Sequence, residues 1–272
     1  MEVLSVLGTG TIGSNVVRAG LALGYRVIAT GRSEKTLLKA KEIGAVALRD
    51  NASAVSQADL IVISVKPQHF TELIKSIPRT FWKGKTVVSV MAGVRLDTLS
   101  EAIRDANLFR AMPNVNAVVN MSATALSGSS AGKDVVEALF RQLGVVYWIT
   151  EDLMDVWTAL VGSGPAFISE IVDGLILGAV ASGMPRDIAH SAVLDMLRGT
   201  VENLKAHRGH PIEVRDYVTT PAGTTIRGLK AMEERGVKAA LIETIEGSSK
   251  RASELGKIVD EKIRRELLDA ER

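Results

Sequence analysis

The first half of the chain alternates between short apolar runs and longer segments in which apolar residues recur at helical spacing. Strands are predicted at Val3–Leu7, Arg26–Thr30, Leu60–Val65, Thr86–Met91, Leu108–Ala111, Ala123–Leu126 and Val145–Ile149. Helices are predicted around Ile12–Leu23, Glu34–Ile43 and Leu96–Arg104. Strands and helices that alternate at this spacing are typical of a parallel sheet covered by helices on both faces.

The pattern changes near Glu151. From Asp152 onward no segment has the alternation of a strand, and long helical periods are broken at Gly162–Pro165, Gly183–Pro185, Gly209–Pro211 and Pro221–Gly223. Glycine and proline commonly mark helix ends. We therefore predict two domains, residues 1–151 with the sheet and residues 152–272 with about five helices. The charged tail after Lys257 is expected to fray.

Several predicted helices of the second half have almost no polar face. Phe167-Ile168, Ile171-Val172, Leu175–Leu177 and Ala179–Ala181 follow one another closely. A helix that is apolar all round must be buried. Because about 120 residues offer only a modest core, the pattern predicts burial of these helices against a second subunit.

Composition narrows the classes of protein. The 272 residues include no cysteine, which excludes disulfides, thiolate nucleophiles and cysteine-ligated metals. The four histidines have no metal-site spacing, so no metal is expected. The formal charge of +2, with both signs interleaved along the chain, does not indicate a basic surface for nucleic-acid binding. With no signal peptide and no apolar run that reaches the roughly 18 residues of a membrane span, we expect a soluble cytoplasmic protein without a membrane partner.

A glycine-rich turn joins the first predicted strand to the first helix. It reads Gly8-Thr9-Gly10-Thr11-Ile12-Gly13. In this position Gly8 permits a tight turn, Gly10 lets the backbone approach a pyrophosphate, and Gly13 lets the helix pack on the strand. The turn predicts dinucleotide binding in a Rossmann-type, doubly wound parallel sheet.

The end of the second strand indicates which dinucleotide is bound. NAD sites usually place a carboxylate there to hold the ribose 2′-hydroxyl. This chain instead reads Ala29-Thr30-Gly31-Arg32-Ser33. Arg32 can pair with a 2′-phosphate and Ser33 can donate to it, which favours NADPH over NADH. The alternative is that Arg32 is a solvated loop residue and that Ser33 only caps a helix.

Two further loops follow strand ends, where open α/β sheets bind their ligands. One is Ser64-Val65-Lys66-Pro67-Gln68 and the other is Met91-Ala92-Gly93. The position of Lys66 favours a contact with cofactor phosphate or ribose over a purely solvated lysine.

A hydroxyl-rich loop interrupts the helices of the second half. It reads Val218-Thr219-Thr220-Pro221-Ala222-Gly223-Thr224-Thr225, ahead of a helix predicted to begin near Ile226 with Thr224 or Thr225 as its cap. Free N–H groups, a positive helix end and several hydroxyls suit a carboxylate or phosphate. Taken alone, the loop is equally consistent with a capped turn between helices.

Together these motifs resemble the pyrroline-5-carboxylate reductase family over essentially the whole chain. The strings that carry the resemblance are Ser64–Gln68, Arg110-Ala111-Met112-Pro113-Asn114, Gly162-Ser163-Gly164-Pro165-Ala166, the loop Thr220–Thr225 with Gly228-Leu229, and Lys250–Gly256. The resemblance implies an enzyme that transfers hydride from NAD(P)H to the C=N bond of 1-pyrroline-5-carboxylate and yields L-proline.

The resemblance also implies an all-α C-terminal dimerisation domain, in a homodimer or a larger homo-oligomer. The substrate carboxylate would bind at Thr220, Gly223, Thr224 and Thr225, with Thr225 near the ring nitrogen as the catalytic hydroxyl. The resemblance and the loops above together predict the cofactor-binding residues, which are Gly8, Thr9, Gly10, Thr11, Ile12, Arg32, Ser33, Asn51, Val65, Lys66, Pro67, Ala92, Met112 and Asn114.

The chain departs from the family pattern in a few places. Thr220 and Ala222 stand where Ser and Gly are usual, and Val115-Asn116 stands where Thr-Pro is frequent. Asn120-Met121 replaces a polar turn that usually contains Gly. These departures concern the nicotinamide pocket and the hydroxyl-rich loop, and they leave the phosphate-binding turn unchanged.

Three other functions are weighed against imine reduction. A β-hydroxyacid dehydrogenase would carry a lysine on the helix after its glycine-rich turn, but Gly162–Asp173 contains none. Imine reductases with other substrates have different substrate-binding loops. A non-catalytic NADPH-binding regulator would not need the hydroxyl-rich loop. The absence of a histidine or carboxylate dyad fits hydride transfer to a protonated imine, which is already a good electrophile.

Overall fold

The computed structural model describes residues 2–207 and 209–271, so the outermost residues of the predicted domains, 1 and 272, lie outside it. One eight-stranded sheet organises the first half of the chain. Its strands are β1 Val3–Leu7, β2 Arg26–Thr30, β3 Val46–Leu48, β4 Leu60–Ile63, β5 Thr86–Ser89, β6 Asn107–Met112, β7 Ser122–Gly128 and β8 Gly144–Trp148.

The strand order is β3-β2-β1-β4-β5-β6-β7-β8. Strands β1 to β6 are parallel, whereas β7 runs antiparallel to β6 and β8 runs parallel to β7. The chain moves outward in one direction from β1 to β3 and in the other from β4, so a crevice opens between the carboxyl ends of β1 and β4. Ligands bind at such a switch point in open α/β sheets.

Both faces of the sheet are buried, and alternate strand residues supply the two cores. Leu4 and Val6 of β1 belong to one core, while Leu7 belongs to the other with Ile61 and Ile63 of β4. The covering helices are α1 Thr11–Ala22, α2 Glu34–Ile43, α3 Asn51–Ser56, α4 Phe70–Lys75, α5 Leu96–Ala102 and α6 Lys133–Arg141. This arrangement explains the near-continuous apolar strands of a doubly wound sheet.

The rest of the described chain is helical. It comprises α7 Met154–Trp157, a π-helical segment Thr158–Gly162, α8 Gly164–Ala181, α9 Arg186–His207, α10 Pro211–Tyr217, α11 Thr224–Glu234 and α12 Val237–Glu271. The predicted fold class, a Rossmann-type sheet followed by helices, is confirmed. The chain divides into two compact units, one of Met1–Ser163 with Glu246–Arg272 and one of Gly164–Ile245. The predicted boundary at residue 151 stays a prediction.

Two features differ from expectation. The short strand β3 was not predicted, because three residues are too few to show a period. The expected fraying after Lys257 is wrong, since α12 continues to Glu271. Ile263 of α12 belongs to the same core as Leu7 of β1, and Val259 and Leu267 pack against that core. Val259, Ile263 and Leu267 follow one another at intervals of four residues, so they form one apolar stripe along an amphipathic helix.

Helix α8 and the segment before it are strongly apolar. Residues Glu151–Ala181 are long and apolar enough to cross a membrane by length and composition alone. The expectation that no apolar run reaches about 18 residues does not hold here, because α8 is apolar over most of its length and its charged residues are Glu170 and Asp173 alone. In the single chain α8 exposes Ile168, Leu175 and Leu177, while Ile176 contacts Ala189 and Val193 of α9.

Candidate functional site

The turn between β1 and α1 has the close contacts that its glycines predict. Gly8 has a φ of +99°, and a Cβ there would lie 2.8 Å from the carbonyl oxygen of Ser64. A Cβ on Gly13 would overlap the carbonyl oxygen of Gly8. A Cβ on Gly10 would meet nothing within 4 Å. Gly8 and Gly13 therefore let the elements pack, and Gly10 leaves open space beside the backbone.

The other residues of this turn hold the backbone in place. Thr9 is buried and its Oγ1 donates to the carbonyl oxygen of Thr30 at 3.0 Å, an oxygen that also accepts from the Gly8 N–H. Ile12 packs against the core, and Thr11 is the exposed first residue of α1. No side chain caps this helix, whose N-cap is Gly10. The first-turn N–H groups can therefore face an anion.

A cavity of about 620 Å³ lies over the carboxyl ends of β1, β2 and β4. It brings together many of the predicted cofactor residues, namely Gly8, Thr9, Gly10, Arg32, Ser33, Asn51, Val65 and Lys66. Its volume, the open space at Gly10 and the uncapped end of α1 fit a dinucleotide. Nothing in the fit depends on a metal, and among the described residues no group of three or more His, Asp or Glu could hold one.

The far end of this cavity is polar and mainly basic. Ser33 caps α2 by accepting from the Thr36 N–H at 3.2 Å, and its hydroxyl lies 2.7 Å from that of Thr36. Arg32 Nη2 lies 2.8 Å from Nε2 of His69. The carboxylate of Glu72 is 3.9 Å from Arg32. Ser33 therefore both caps α2 and lines the cavity, and its contact with a 2′-phosphate stays a prediction.

A second cavity, of about 440 Å³, lies beyond the loop that follows β4. Val65 and Lys66 line the first cavity, and Pro67 lines the second together with Ala92 and Gly93. Asp155, Thr158, Ser163, Ser248 and Arg251 supply its polar groups. The predicted cofactor-binding residues Pro67 and Ala92 thus border a mixed polar and apolar space.

The loop after β5 is fixed from helix α12. Gly93 has a φ of +76°, and a Cβ there would lie 2.8 Å from the Cα of Gly256. The helix that follows, α5, has no side-chain cap of its own. Asp260 Oδ1 accepts from the N–H of Arg95, and Glu151 Oε1 accepts from the N–H of Leu96 at 2.7 Å. Two carboxylates distant in sequence therefore cap α5 and hold the loop.

The predicted residues Met112 and Asn114 lie at the end of β6, where Met112 bonds α7 and Asn114 bonds the π-helical segment. The Met112 carbonyl accepts from Trp157 Nε1 at 3.0 Å, and Asn114 Nδ2 donates to the Val161 carbonyl at 3.1 Å. Arg110 pairs with Glu151 at 2.9 Å in a mostly buried ion pair. These polar groups are satisfied within the protein, so their predicted contact with the cofactor stays a prediction.

The hydroxyl-rich loop joins α10 to α11 in the second compact unit. Helix α11 begins at Thr224, with Gly223 as its N-cap and no side-chain capping bond. The prediction that Thr224 or Thr225 caps a helix starting near Ile226 is therefore wrong by two residues. Because Thr224 and Thr225 are the first two helical residues, their N–H groups lack intrahelical partners. Ala222, at a φ of 57°, makes the turn.

Several residues of the two cavities were missed from the sequence. Arg49 and His69 line the first, and Asp155 and Arg251 line the second. Recognition of β3 would have identified Arg49, because it directly follows the strand. Asp155 and Arg251 lie on helices whose packing could not be read from periodicity.

Comparison with known proteins identifies the family. Residues 151–255 match the model described as pyrroline-5-carboxylate reductase dimerisation, and residues 3–93 match the model described as NADP oxidoreductase coenzyme F420-dependent. The chain is 33% identical over 265 residues to the pyrroline-5-carboxylate reductase of Methanosarcina acetivorans, which covers 93% of this chain and 98% of the relative. The chain belongs to the pyrroline-5-carboxylate reductase family. The resemblance stated from the motifs is confirmed.

Other members of the pyrroline-5-carboxylate reductase family are similar to this chain over most of their length. The pyrroline-5-carboxylate reductase of Thermus thermophilus is 33% identical to this chain over 263 residues, and the match covers 93% of this chain and 98% of the relative. The solved structure of 1-pyrroline-5-carboxylate reductase from Streptococcus pyogenes superposes with a TM-score of 0.85 at 28% identity, covering 93% of this chain and 98% of the other. The similarity therefore extends through both halves of the chain.

Proposed function

We propose that this protein reduces the C=N bond of 1-pyrroline-5-carboxylate with NADPH, releasing L-proline in the last step of proline biosynthesis. The observation that carries the proposal is the 33% identity to a pyrroline-5-carboxylate reductase over 93% of the chain. The crevice at β1 and β4 supports it, because its glycine turn and its uncapped helix end suit a dinucleotide.

The preference for NADPH rests on the polar end of the first cavity. Arg32, Ser33 and Thr36 surround the start of α2. An arginine and a helix N-terminus both favour the added charge of a 2′-phosphate. When bound, the nicotinamide cofactor supplies the hydride. Lys66 and Asn51 also line the cavity and would contact ribose or phosphate. NADH stays the alternative cofactor.

The substrate carboxylate is assigned to the start of α11. Free N–H groups of Thr224 and Thr225 and the positive helix end would bind it, while Thr220 and Gly223 shape the turn. The Thr225 hydroxyl would donate to or accept from the ring nitrogen. No strong acid is needed, because the protonated imine is itself electrophilic and requires mainly correct placement.

We also propose a homodimer or larger homo-oligomer in the cytoplasm, formed through the helical domain. Ile168 and Ile188, for example, are more than half exposed in the single chain, in α8 and α9. A second copy covering these helices removes that apolar surface from water. This accounts for the apolar stretch Glu151–Ala181 without a membrane. A monomeric mass near 29.1 kDa in light scattering would contradict the proposal.

One assay tests the enzymatic function. Purified protein is given NADPH and 1-pyrroline-5-carboxylate, and both cofactor oxidation and L-proline are measured. In a parallel reaction it is given NADP and 3-hydroxy acids. We expect consumption only with the imine. Cofactor use with the hydroxy acids would indicate a dehydrogenase, and no turnover across a range of pH would indicate a non-catalytic NADPH-binding protein.

A further inference from the structure

Strands β2 and β3 bring two arginines to the same edge of the sheet. The strands are parallel, and their register pairs Thr30 with Leu48. Arg32 lies two residues beyond Thr30, and Arg49 lies one residue beyond Leu48. Both line the 620 Å³ cavity at its polar end. The register of the sheet therefore sets two permanent positive charges beside the start of α2.

Arg49 is held in place on this edge by two contacts. Its Nη1 donates to the Arg32 carbonyl oxygen at 2.9 Å, and its Nη2 donates to Glu34 Oε2 at 2.6 Å. An arginine has five N–H donors in a fixed plane. The contacts fix the plane of the guanidinium and leave further donors to bind a ligand.

The ion pair with Glu34 does not prevent this. The side chains of Arg49 and Glu34 are 61% and 67% exposed, so their attraction is screened by water. A phosphate carries more charge than a carboxylate and accepts two parallel bonds from a guanidinium. It can therefore compete with Glu34 for Arg49 at little cost.

The remaining groups at this end of the cavity are suited to the same ligand. Arg32 lies against His69, with a nitrogen–nitrogen distance of 2.8 Å. The hydroxyls of Ser33 and Thr36 stand at the first turn of α2, where the helix end favours an anion. The Glu72 carboxylate, 3.9 Å from Arg32, is the acidic group in the cavity lining. Glu34, outside that lining, is the second carboxylate at this end, through its bond to Arg49. The cations and donors of Arg32, Arg49, His69, Ser33 and Thr36 therefore outnumber the two carboxylates.

We propose that Arg49 is a specificity-determining residue that binds the nucleotide 2′-phosphate together with Arg32, and that the pair sets the preference for NADPH. The inference rests on the proposed function for the nucleotide, and it adds a residue from β3 that the β2–α2 turn alone does not supply. Two exposed arginines are needed because each exposed contact is weakened by solvent and salt.

The test measures binding rather than turnover. Full-length wild type, Arg49→Gln and Arg32→Gln are titrated calorimetrically with NADPH, NADH, 2′,5′-ADP and 5′-AMP. The matched control is Arg141→Gln. Arg141 is an exposed arginine, paired with Glu137 at 2.5 Å and absent from the cavity lining. Circular dichroism establishes that each variant is folded before titration.

We expect Arg49→Gln to lower the affinity for NADPH and for 2′,5′-ADP by about tenfold, because one charge-assisted contact is lost. Affinity for NADH and 5′-AMP should change less than about twofold, and the control should match wild type. Equal losses for phosphorylated and unphosphorylated ligands, or no loss, would overturn the role of Arg49. Wild type that binds neither NADPH nor NADH would instead overturn the proposed function.

Discussion

Thr98 and Asp260 are 162 positions apart in the chain and form a buried hydrogen bond, in which Thr98 Oγ1 donates to Asp260 Oδ1 at 2.5 Å. The same carboxylate accepts from the Arg95 N–H and pairs with Arg264 at 3.0 Å. Asp260 therefore caps α5 from within α12 and fixes α5 next to the loop Ala92–Gly93.

Removal of the Asp260 carboxylate should destabilise the protein. We expect Asp260→Ala to lower the free energy of unfolding by about 2–3 kcal/mol, because two donors of α5 lose their buried acceptor. Alanine is a better helix former than aspartate, so helix propensity opposes the expected loss and cannot cause it. Urea unfolding measures the change. The control Glu261→Ala, at an exposed neighbouring position, should change stability by less than about 0.5 kcal/mol. Equal effects would contradict the capping role.

Ala222 has a left-handed backbone at a position where the family usually has glycine. The side chain makes this conformation cost about 1–2 kcal/mol, while glycine loses about 0.5–1 kcal/mol more in conformational entropy on folding. We therefore expect Ala222→Gly to stabilise the protein by about 0.5–1 kcal/mol in thermal unfolding. In the interior of α11, Ala231→Gly should destabilise it by about 1 kcal/mol. Destabilisation by both variants would contradict the assigned backbone strain.

Glu137 should give acid-dependent stability. The hydrogen bond from Trp148 Nε1, followed by that from Arg141, lowers the pKa of Glu137 below its ordinary value of 4.5. Because the folded pKa is the lower one, this stabilisation is complete above pH 4.5 and is lost as the pH falls through the folded pKa.

Thermal unfolding of Glu137→Gln as a function of pH measures this contribution. Its melting temperature should be below that of wild type at pH 7, and the difference should disappear in acid. Lys75→Gln, which removes an exposed charge elsewhere, serves as the control. A difference independent of pH would indicate lost packing rather than lost charge.

Thr225 should affect turnover more than cofactor affinity. We expect Thr225→Ala to lower kcat by about 10–100-fold, because a hydrogen bond to a charged imine is worth roughly 1.5–3 kcal/mol. The affinity for NADPH should change little. In the control Thr200→Ala, the lost hydroxyl bonds only to its own helix, at the Met196 carbonyl. An unchanged kcat for Thr225→Ala would remove this residue from the proposed site.

The elements nearest the glycine turn could be predicted almost residue by residue. Val3–Leu7 and Arg26–Thr30 are strands as expected, because parallel strands covered on both faces show as short, mostly apolar runs. Strand β3 could not be predicted in this way, because a strand of three residues is formed by pairing with its neighbour β2 and has no sequence pattern of its own. Arg49, which follows it, was missed for the same reason.

By itself the sequence determined the Rossmann-type sheet, the glycine turn, the lack of a carboxylate after β2 and the family, because local periodicity and short motifs encode these features. Tertiary structure decided that Arg49 joins Arg32 and that Asp260 caps α5. It also placed Asn114 against the π-helical segment. These relationships depend on strand register and helix packing, and they join residues whose separation in sequence carries no period.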